Sequence, residues 1–490
     1  MITGPMVSGV NNYYTNPEVR ARILEFLGGD SPANVTAVYL TGGDRSGAHH
    51  RSPRLTAELP ALLESGLDIG RSLWDRESLI ADLDVEYVNF DRPDEAYLSP
   101  ERVFDLQLPV EQSIVAILKD YDILPLHLLS GRGHHFVWQV HRLSRAFKQL
   151  AKLGRVTPSL QQLYSQPHRP NGELVAAEMG AAFAGLGLLM EYLAHCIKEE
   201  AAPMCDIPVE LTAVEVGPTR RGREMISLDL SEYGDPLSAR AFRIPFSIYF
   251  KPWQQRDLLS KNMAEKLPPF FLVPLSGMES RQGIHIMRDP DHVIDIAARA
   301  STRIPDQSDS MPHLIEAYRE SALAGFHDWF YSKEHHTPEE WPATYDRTPL
   351  EPMPPCARHI LEHPNDLLLR PGGIERIVRV MLSLGWHPRH IAGLIRSKFE
   401  RDHAWGEQWT GYDPATRADF YTRIFAGLFV TGHDDLVDFN CQSAKEEKGC
   451  FLSDCPDNLE RFKKSLLQRR QYERLACRPF NRLFLPEEHL

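Results

Sequence analysis

Leu79-Ile80-Ala81-Asp82-Leu83-Asp84-Val85 is an apolar run interrupted by two aspartates two residues apart. The alternation predicts a strand, and its period of two puts both carboxylates on one face. Two like charges side by side are costly unless cations neutralise them. Paired Mg2+ or Mn2+ ions bridged by carboxylates are a common solution in phosphoryl transfer. The same pattern fits an edge strand with one solvated polar face.

Two further pieces lie downstream. Leu128-Leu129-Ser130-Gly131-Arg132-Gly133-His134-His135-Phe136 reads as two short strands around a glycine turn. Glycines let the backbone approach a ligand closely, and exposed amides can cradle phosphate. Ser130 and Arg132 can bond phosphate oxygens, and His135, opening the next strand, can reach the same group. His134 is expected to face away. A zinc site on the His134–His135 pair is disfavoured, because no nearby acid or cysteine completes it. Met225–Leu230 is another apolar strand, and its Asp229 can supply a third carboxylate to a two-metal site. Arg240, Arg243 and Ser247 follow as further candidate phosphate contacts.

Around these pieces the pattern mixes strands and helices. Helices are predicted over Pro17–Leu27 with Asn16 as cap, over Pro100–Leu118 with Ser99 as cap and a kink or break at Pro109, and over Gly180–Ile197. Strands are predicted over Asn34–Leu40, Leu79–Phe90 and Ile244–Phe250. Residues Lys251–Asp346 read as helical. Pro349, Pro352, Pro354 and Pro355 mark a boundary, beyond which Ile374–Leu384, His390–Glu400 and Ala415–Leu428 have helical periodicity.

Composition narrows the function classes. The 490 residues suggest about three units, and 42% hydrophobic with 25% charged residues is ordinary for a folded protein. The longest apolar stretch, Met179–Met190, is 12 residues, short of the roughly 20 a membrane span needs. The first thirty residues show no secretory signal, so a cytoplasmic location is expected. The net charge of −13 argues against a general polyanion binder, so a nucleic-acid surface has to be a local basic patch. Ile123–Gly172 supplies one: it holds no acid and seven cations, Arg132, Arg142, Arg145, Lys148, Lys152, Arg155 and Arg169. Arg220, Arg221 and Arg223 form a smaller cluster, and the basic run from Arg461 to Arg478 reads as a solvated helix face.

Seven cysteines on a chain with no export signal point to metal ligation or burial rather than disulfides. Cys356, Cys441, Cys450 and Cys455 make a set of four able to hold a [4Fe–4S] cluster or a zinc ion. The absence of Cys-x-x-Cys argues against a zinc ribbon. Cys196 is expected in the core, and Cys477 is a substitute ligand candidate.

The order of an Asp-x-Asp strand, Ser-Gly-x-Gly-x-His and a strand with Asp resembles the catalytic core of the archaeo-eukaryotic primase superfamily over residues 40–250. The resemblance implies that Asp82, Asp84 and Asp229 bind the catalytic metals and that His135 contacts the incoming nucleotide, with Asp235 a close rival to Asp229. Arg243 to Ser247 resembles the segment after the third motif. Pro354-Pro355-Cys356 and the three later cysteines resemble the iron–sulfur domain of the primase large subunit, although Asp438-Phe439-Asn440 precedes Cys441 where that family has prolines.

The expectation is therefore an α+β chain in three parts. Residues 1–250 form a primase-type catalytic domain with a mixed or antiparallel sheet, 251–347 a helical connector, and 348–490 a mainly helical iron–sulfur domain. The implied activity is template-dependent nucleotidyl transfer on single-stranded DNA from NTPs or dNTPs. It would start primers, extend them, or both, with Mg2+ or Mn2+ at the aspartates and a [4Fe–4S] cluster, or zinc, at the cysteines. The alternatives are a non-catalytic replication-associated binding protein and a repair polymerase that only extends.

Overall fold

Strand β3 (Ser78–Asn89) is the spine of a six-stranded mixed sheet ordered β6-β7-β3-β5-β4-β9. The computed structural model describes residues 13–44, 52–168, 170–212, 223–254, 267, 269–364, 368–405, 412–446, 449–450, 452, 455 and 458–476, with side chains as far as 468. The neighbours of β3 are β5 (Gly133–His141) and β7 (Glu224–Asp229), both antiparallel to it. Outside them lie β4 (Leu126–Leu129), β9 (Val273–Pro274) and β6 (Val209–Leu211), the last parallel to β7. A second, three-stranded sheet joins β1 (Leu40–Gly43), β2 (Asp68–Ser72) and β8 (Ala241–Arg243).

The apolar residues of β3 follow its alternation. Leu83 and Val85 lie opposite Phe136 and His134 of β5, so these four share the reverse face. Helix Pro100–Asp120 covers that face, where Phe104 meets the His134 ring at 5.3 Å. The helix runs unbroken through Pro109. The carbonyl that Pro109 leaves without a helical partner belongs to Asp105, on the exposed side, where water can serve it. Ser99 occupies the cap position, but its side chain bonds no helical amide. Asn16 does cap helix Pro17–Phe26, accepting from the amides of Glu18 and Val19.

Helix Ala177–Ala201 packs against β3, β6 and helix Pro100–Asp120. Ala177–Met204 is the one segment among the described residues long and apolar enough to cross a membrane, and 78% of its apolar window is buried inside the protein. That burial makes it a core helix, which explains its all-round hydrophobicity.

Two predicted strands are absent as such. Over Asn34–Tyr39 the chain makes only an isolated bridge from Ala37 to Asp75, with the Val38 amide shared between the Trp74 carbonyl and the Ser72 hydroxyl and the Tyr39 amide on that same hydroxyl, and β1 starts only at Leu40. Over Ile244–Phe250 the chain turns at Pro245 and Phe246, the latter at φ 62°, so the regular strand ends at Arg243.

The last third is helical, with Pro355–Glu362, Pro371–Ser383, Pro388–Phe399 and Pro414–Thr431 as its main elements. It is not detached from what precedes it. One continuous hydrophobic core runs from Tyr13 to Leu466. Buried Glu191 of helix Ala177–Ala201 accepts from Arg423 of helix Pro414–Thr431 at 2.8 Å and faces His327 at 3.2 Å.

Candidate active site

The register of three central strands builds the site. Asp84 pairs with His135 on β5 and with Asp229 on β7, so the three form one transverse row. Directly opposed residues point to the same face, with Cβ atoms about 4.5–5.5 Å apart. Asp82 lies two residues before Asp84 and Glu86 two residues after it, which extends the row into an acidic line along β3. Asp82 is 1% exposed on a central strand, so the solvated edge-strand reading does not hold.

His135 is clamped by the two aspartates. Its Nδ1 lies 3.1 Å from Asp82 Oδ2 and its Nε2 3.7 Å from Asp84 Oδ1. Burial pushes this imidazole down, but Asp84 and Asp82 outweigh it and raise the pKa to about 9. Burial raises the Asp84 carboxyl well above the usual range, and Glu86, Asp82 and Asp229 add to the rise against the opposing pull of His135. Asp84 Oδ1 is buried without a hydrogen-bond partner.

The turn after β7 adds two groups. Asp229 Oδ1 accepts the Ser231 amide at 2.9 Å, which bends the chain back toward β3. Glu232 then sits near Asp82, Asp84 and Asp229. Burial and those three charges raise its carboxyl well above the ordinary value, and its Oε1 is buried without a partner. The Tyr233 hydroxyl donates to the Asp82 carbonyl at 2.8 Å and accepts the Asp82 amide at 3.1 Å. It thus takes the place of β7, whose pairing with β3 starts only at Asp84. Asp235 is engaged elsewhere, by Arg240 and by Arg417 at 3.4 Å, which leaves Asp229 as the third aspartate of the row.

The glycine turn is shaped by contact. The Ser130 amide donates to the Gly133 carbonyl at 2.8 Å, and the Ser130 hydroxyl accepts the Gly133 amide at 3.2 Å. A Cβ on Gly133 would lie 1.8 Å from the Val85 carbonyl oxygen, and one on Gly131 would lie 2.7 Å from the Tyr249 ring. Glycine is therefore required here for close approach. Arg132 reaches Glu86, which Lys251 Nζ also approaches at 2.9 Å. Burial raises the Glu86 carboxyl, but these two cations outweigh it and hold it far below the carboxylate range. Arg243 donates to Asp68 at 2.6 Å and lies over the Tyr249 ring at 4.4 Å. Ser247 is fully buried; its hydroxyl accepts the Ile69 amide at 2.7 Å and serves the fold there.

Arg145, Lys148, Lys152 and Arg155 are exposed, on and just beyond helix Arg145–Leu153. Arg223 pairs with Asp91 at 2.9 Å, whereas Arg169, Arg220 and Arg221 lie outside the described residues.

Cys356 has Cys441, Cys450 and Cys455 within electrostatic reach. Cys356 is buried at the start of helix Pro355–Glu362, and Cys441 opens helix Cys441–Glu446. Burial pushes the Cys356 thiol up to about 11; Arg376 opposes this, while Cys441, Cys450 and Cys455 lie close enough to add to the rise. The Leu459 amide points to Cys441 Sγ at 3.3 Å. Cys196 is half-buried on the core helix, and Cys477 lies outside the described residues.

Sequence reasoning missed Glu86, Glu232, Tyr233 and Lys251. Glu86 had a signal: it continues the period of two from Asp82 and Asp84. The other three follow irregular segments, where no periodicity marks a face. No family model matches the chain, and neither curated proteins nor solved structures give a match.

Proposed function

We propose that this chain is a primase-polymerase, transferring nucleotides onto a 3′-hydroxyl on a single-stranded DNA template. The observation that carries the reading is the Asp229–Asp84–His135 row with Asp82 on the same face. A cluster of acids with two buried carboxylate oxygens that accept no hydrogen bond, Asp84 Oδ1 and Glu232 Oε1, suits hard divalent cations. Asp82, Asp84 and Asp229 would hold Mg2+ or Mn2+, which when bound supply the charge that activates an attacking hydroxyl and stabilises leaving pyrophosphate.

The other roles fall to protein groups. His135, held protonated at neutral pH by Asp84 and Asp82, presents a cationic donor beside the acids, suited to phosphate oxygens of the incoming nucleotide. Arg132 and Ser130 shape the glycine turn next to it, and Arg243 is fixed on Asp68. The exposed cations Arg145, Lys148, Lys152 and Arg155 offer a track for template or primer backbone. Cys356, Cys441, Cys450 and Cys455 are assigned to a [4Fe–4S] cluster, with zinc as the alternative occupant. By the family resemblance, that helical module would hold the 5′-triphosphate of the initiating nucleotide.

The test is nucleotide incorporation with Mn2+ on single-stranded DNA, with and without an annealed primer. Synthesis in both supports the full reading, and synthesis only with a primer indicates an extending repair polymerase. No incorporation by metal-loaded, folded protein leaves a non-catalytic binding protein. Anaerobic purification with iron, sulfide and zinc analysis decides the occupant of the cysteines.

A further inference from the structure

A second set of metal-type ligands lies on the reverse face of the sheet. Glu111 of helix Pro100–Asp120, His127 of β4 and His134 of β5 each offer one donor atom, all within 4.8 Å of one another. His134 precedes His135 on β5 and therefore points away from the carboxylate row. The rings of His134 and His135 lie on opposite faces of the sheet and do not share one metal, so other residues have to complete a set on His134. The completing residues, Glu111 and His127, come from a helix and a neighbouring strand, which local sequence does not reveal.

The geometry is that of a built site. His127 Nε2 is 2.9 Å from His134 Nδ1, and His134 Nε2 is 3.8 Å from Glu111 Oε2. His134 is 1% exposed, and its Nε2 has no hydrogen-bond partner. An imidazole nitrogen buried in this way costs free energy unless something pairs with it. Ser280 Oγ donates to Glu111 Oε2 at 2.7 Å, an outer contact of the kind that orients a ligating carboxylate. Phe136 stacks on His127 at 4.1 Å, and Phe104 meets His134 edge-on, so the surroundings are apolar.

We propose that Glu111, His127 and His134 bind one structural Zn2+ ion behind the candidate active site. Two imidazoles and one carboxylate suit zinc, whereas Mg2+ prefers an all-oxygen set. The ion would pin helix Pro100–Asp120 to the β4–β5 hairpin and so fix the turn that carries Arg132 and His135. The proposal does not depend on the polymerase reading.

The experiment uses the full chain, loaded with zinc in excess Mg2+ and dialysed, with metal analysis and zinc X-ray absorption. A zinc with nitrogen and oxygen ligands is expected in the wild type. Glu111→Gln and His127→Ala should each lose one zinc per chain while iron and sulfide stay unchanged. Ser280→Ala should weaken zinc binding by about 10–100-fold. No retained zinc in folded wild type, a shell made only of sulfur, or equal zinc in wild type and both ligand variants overturns the proposal. Should the variants fail to fold, the wild-type spectrum alone decides.

Discussion

The Tyr233 hydroxyl bonds both backbone groups of Asp82, the carbonyl at 2.8 Å and the amide at 3.1 Å. Side chain thus replaces strand at the point where β7 stops. Tyr233→Phe leaves two buried backbone groups unpaired, which should cost about 1–3 kcal/mol in a denaturant titration. Nucleotide incorporation should fall with it, because Asp82 loses its anchor. An unchanged unfolding midpoint would show that water serves these groups equally well.

Asp84→Asn separates stability from activity. In the metal-free protein the ionised Asp84 is disfavoured by burial and by neighbouring acids. Removing its charge should therefore raise the thermal midpoint of the metal-free protein and abolish the further rise that Mn2+ produces. Incorporation should drop by on the order of a hundredfold or more, while single-stranded DNA binding stays near wild type. Asp82→Ala and Asp229→Ala should likewise abolish synthesis without loss of DNA binding. Retained synthesis in any of the three would remove that residue from the reaction centre.

The pH dependence has a definite sign. Asp84 and Glu232 have raised folded-state values, against ordinary ones of 3.8 and 4.5. Each therefore costs stability as pH climbs above its ordinary value, and bound cations offset that cost. His135 works in the other direction from a depressed acid: its contribution is full below 6.5 and is lost as pH rises through about 9. Metal-free stability should fall between these two pH values, and Mn2+ affinity should rise with pH as protons are displaced. Calorimetric titration in buffers of different ionisation enthalpy measures that proton release. Mn2+ affinity independent of pH would refute the linkage.

Gly133→Ala should cost about 3 kcal/mol or more, because its Cβ meets backbone rather than a mobile side chain. Gly131→Ala meets the Tyr249 ring and should cost less. Equal unfolding midpoints for the two variants would contradict this ranking.

Arg423→Met leaves the fully buried Glu191 without its guanidinium partner, with the imidazoles of His327 and His195 nearby. A loss of about 3–5 kcal/mol is expected, measurable by chemical denaturation. Truncation after Arg347 removes Arg423 as well, so residues 1–347 should be markedly less stable than the whole chain. A fragment as stable as the full protein would contradict the shared core.

The central strands were legible because their chemistry and their period coincide. Asp82, Asp84 and Asp229 interrupt apolar alternation, and a face was readable from each. Glu232 follows a turn set by an Asp229–Ser231 bond, which leaves no periodic trace. Phe246 breaks an apolar run that reads as a strand, because a left-handed residue cannot continue a ladder. The Glu111–His127–His134 set combines a helix with two strands and became visible only through packing. The buried Glu191–Arg423 contact was not readable, since no local pattern encodes a partner more than two hundred residues away.

Helix Pro414–Thr431 presses Phe420 against Gly234, where an added Cβ would fall 2.5 Å from the ring. That glycine closes the bend carrying Glu232 and Tyr233. A ribosome that has not yet released Phe420 has already made every acid of the row, yet the bend behind them still lacks its backing. The bend therefore acquires its backing only once that helix, made long after the acids themselves, has docked.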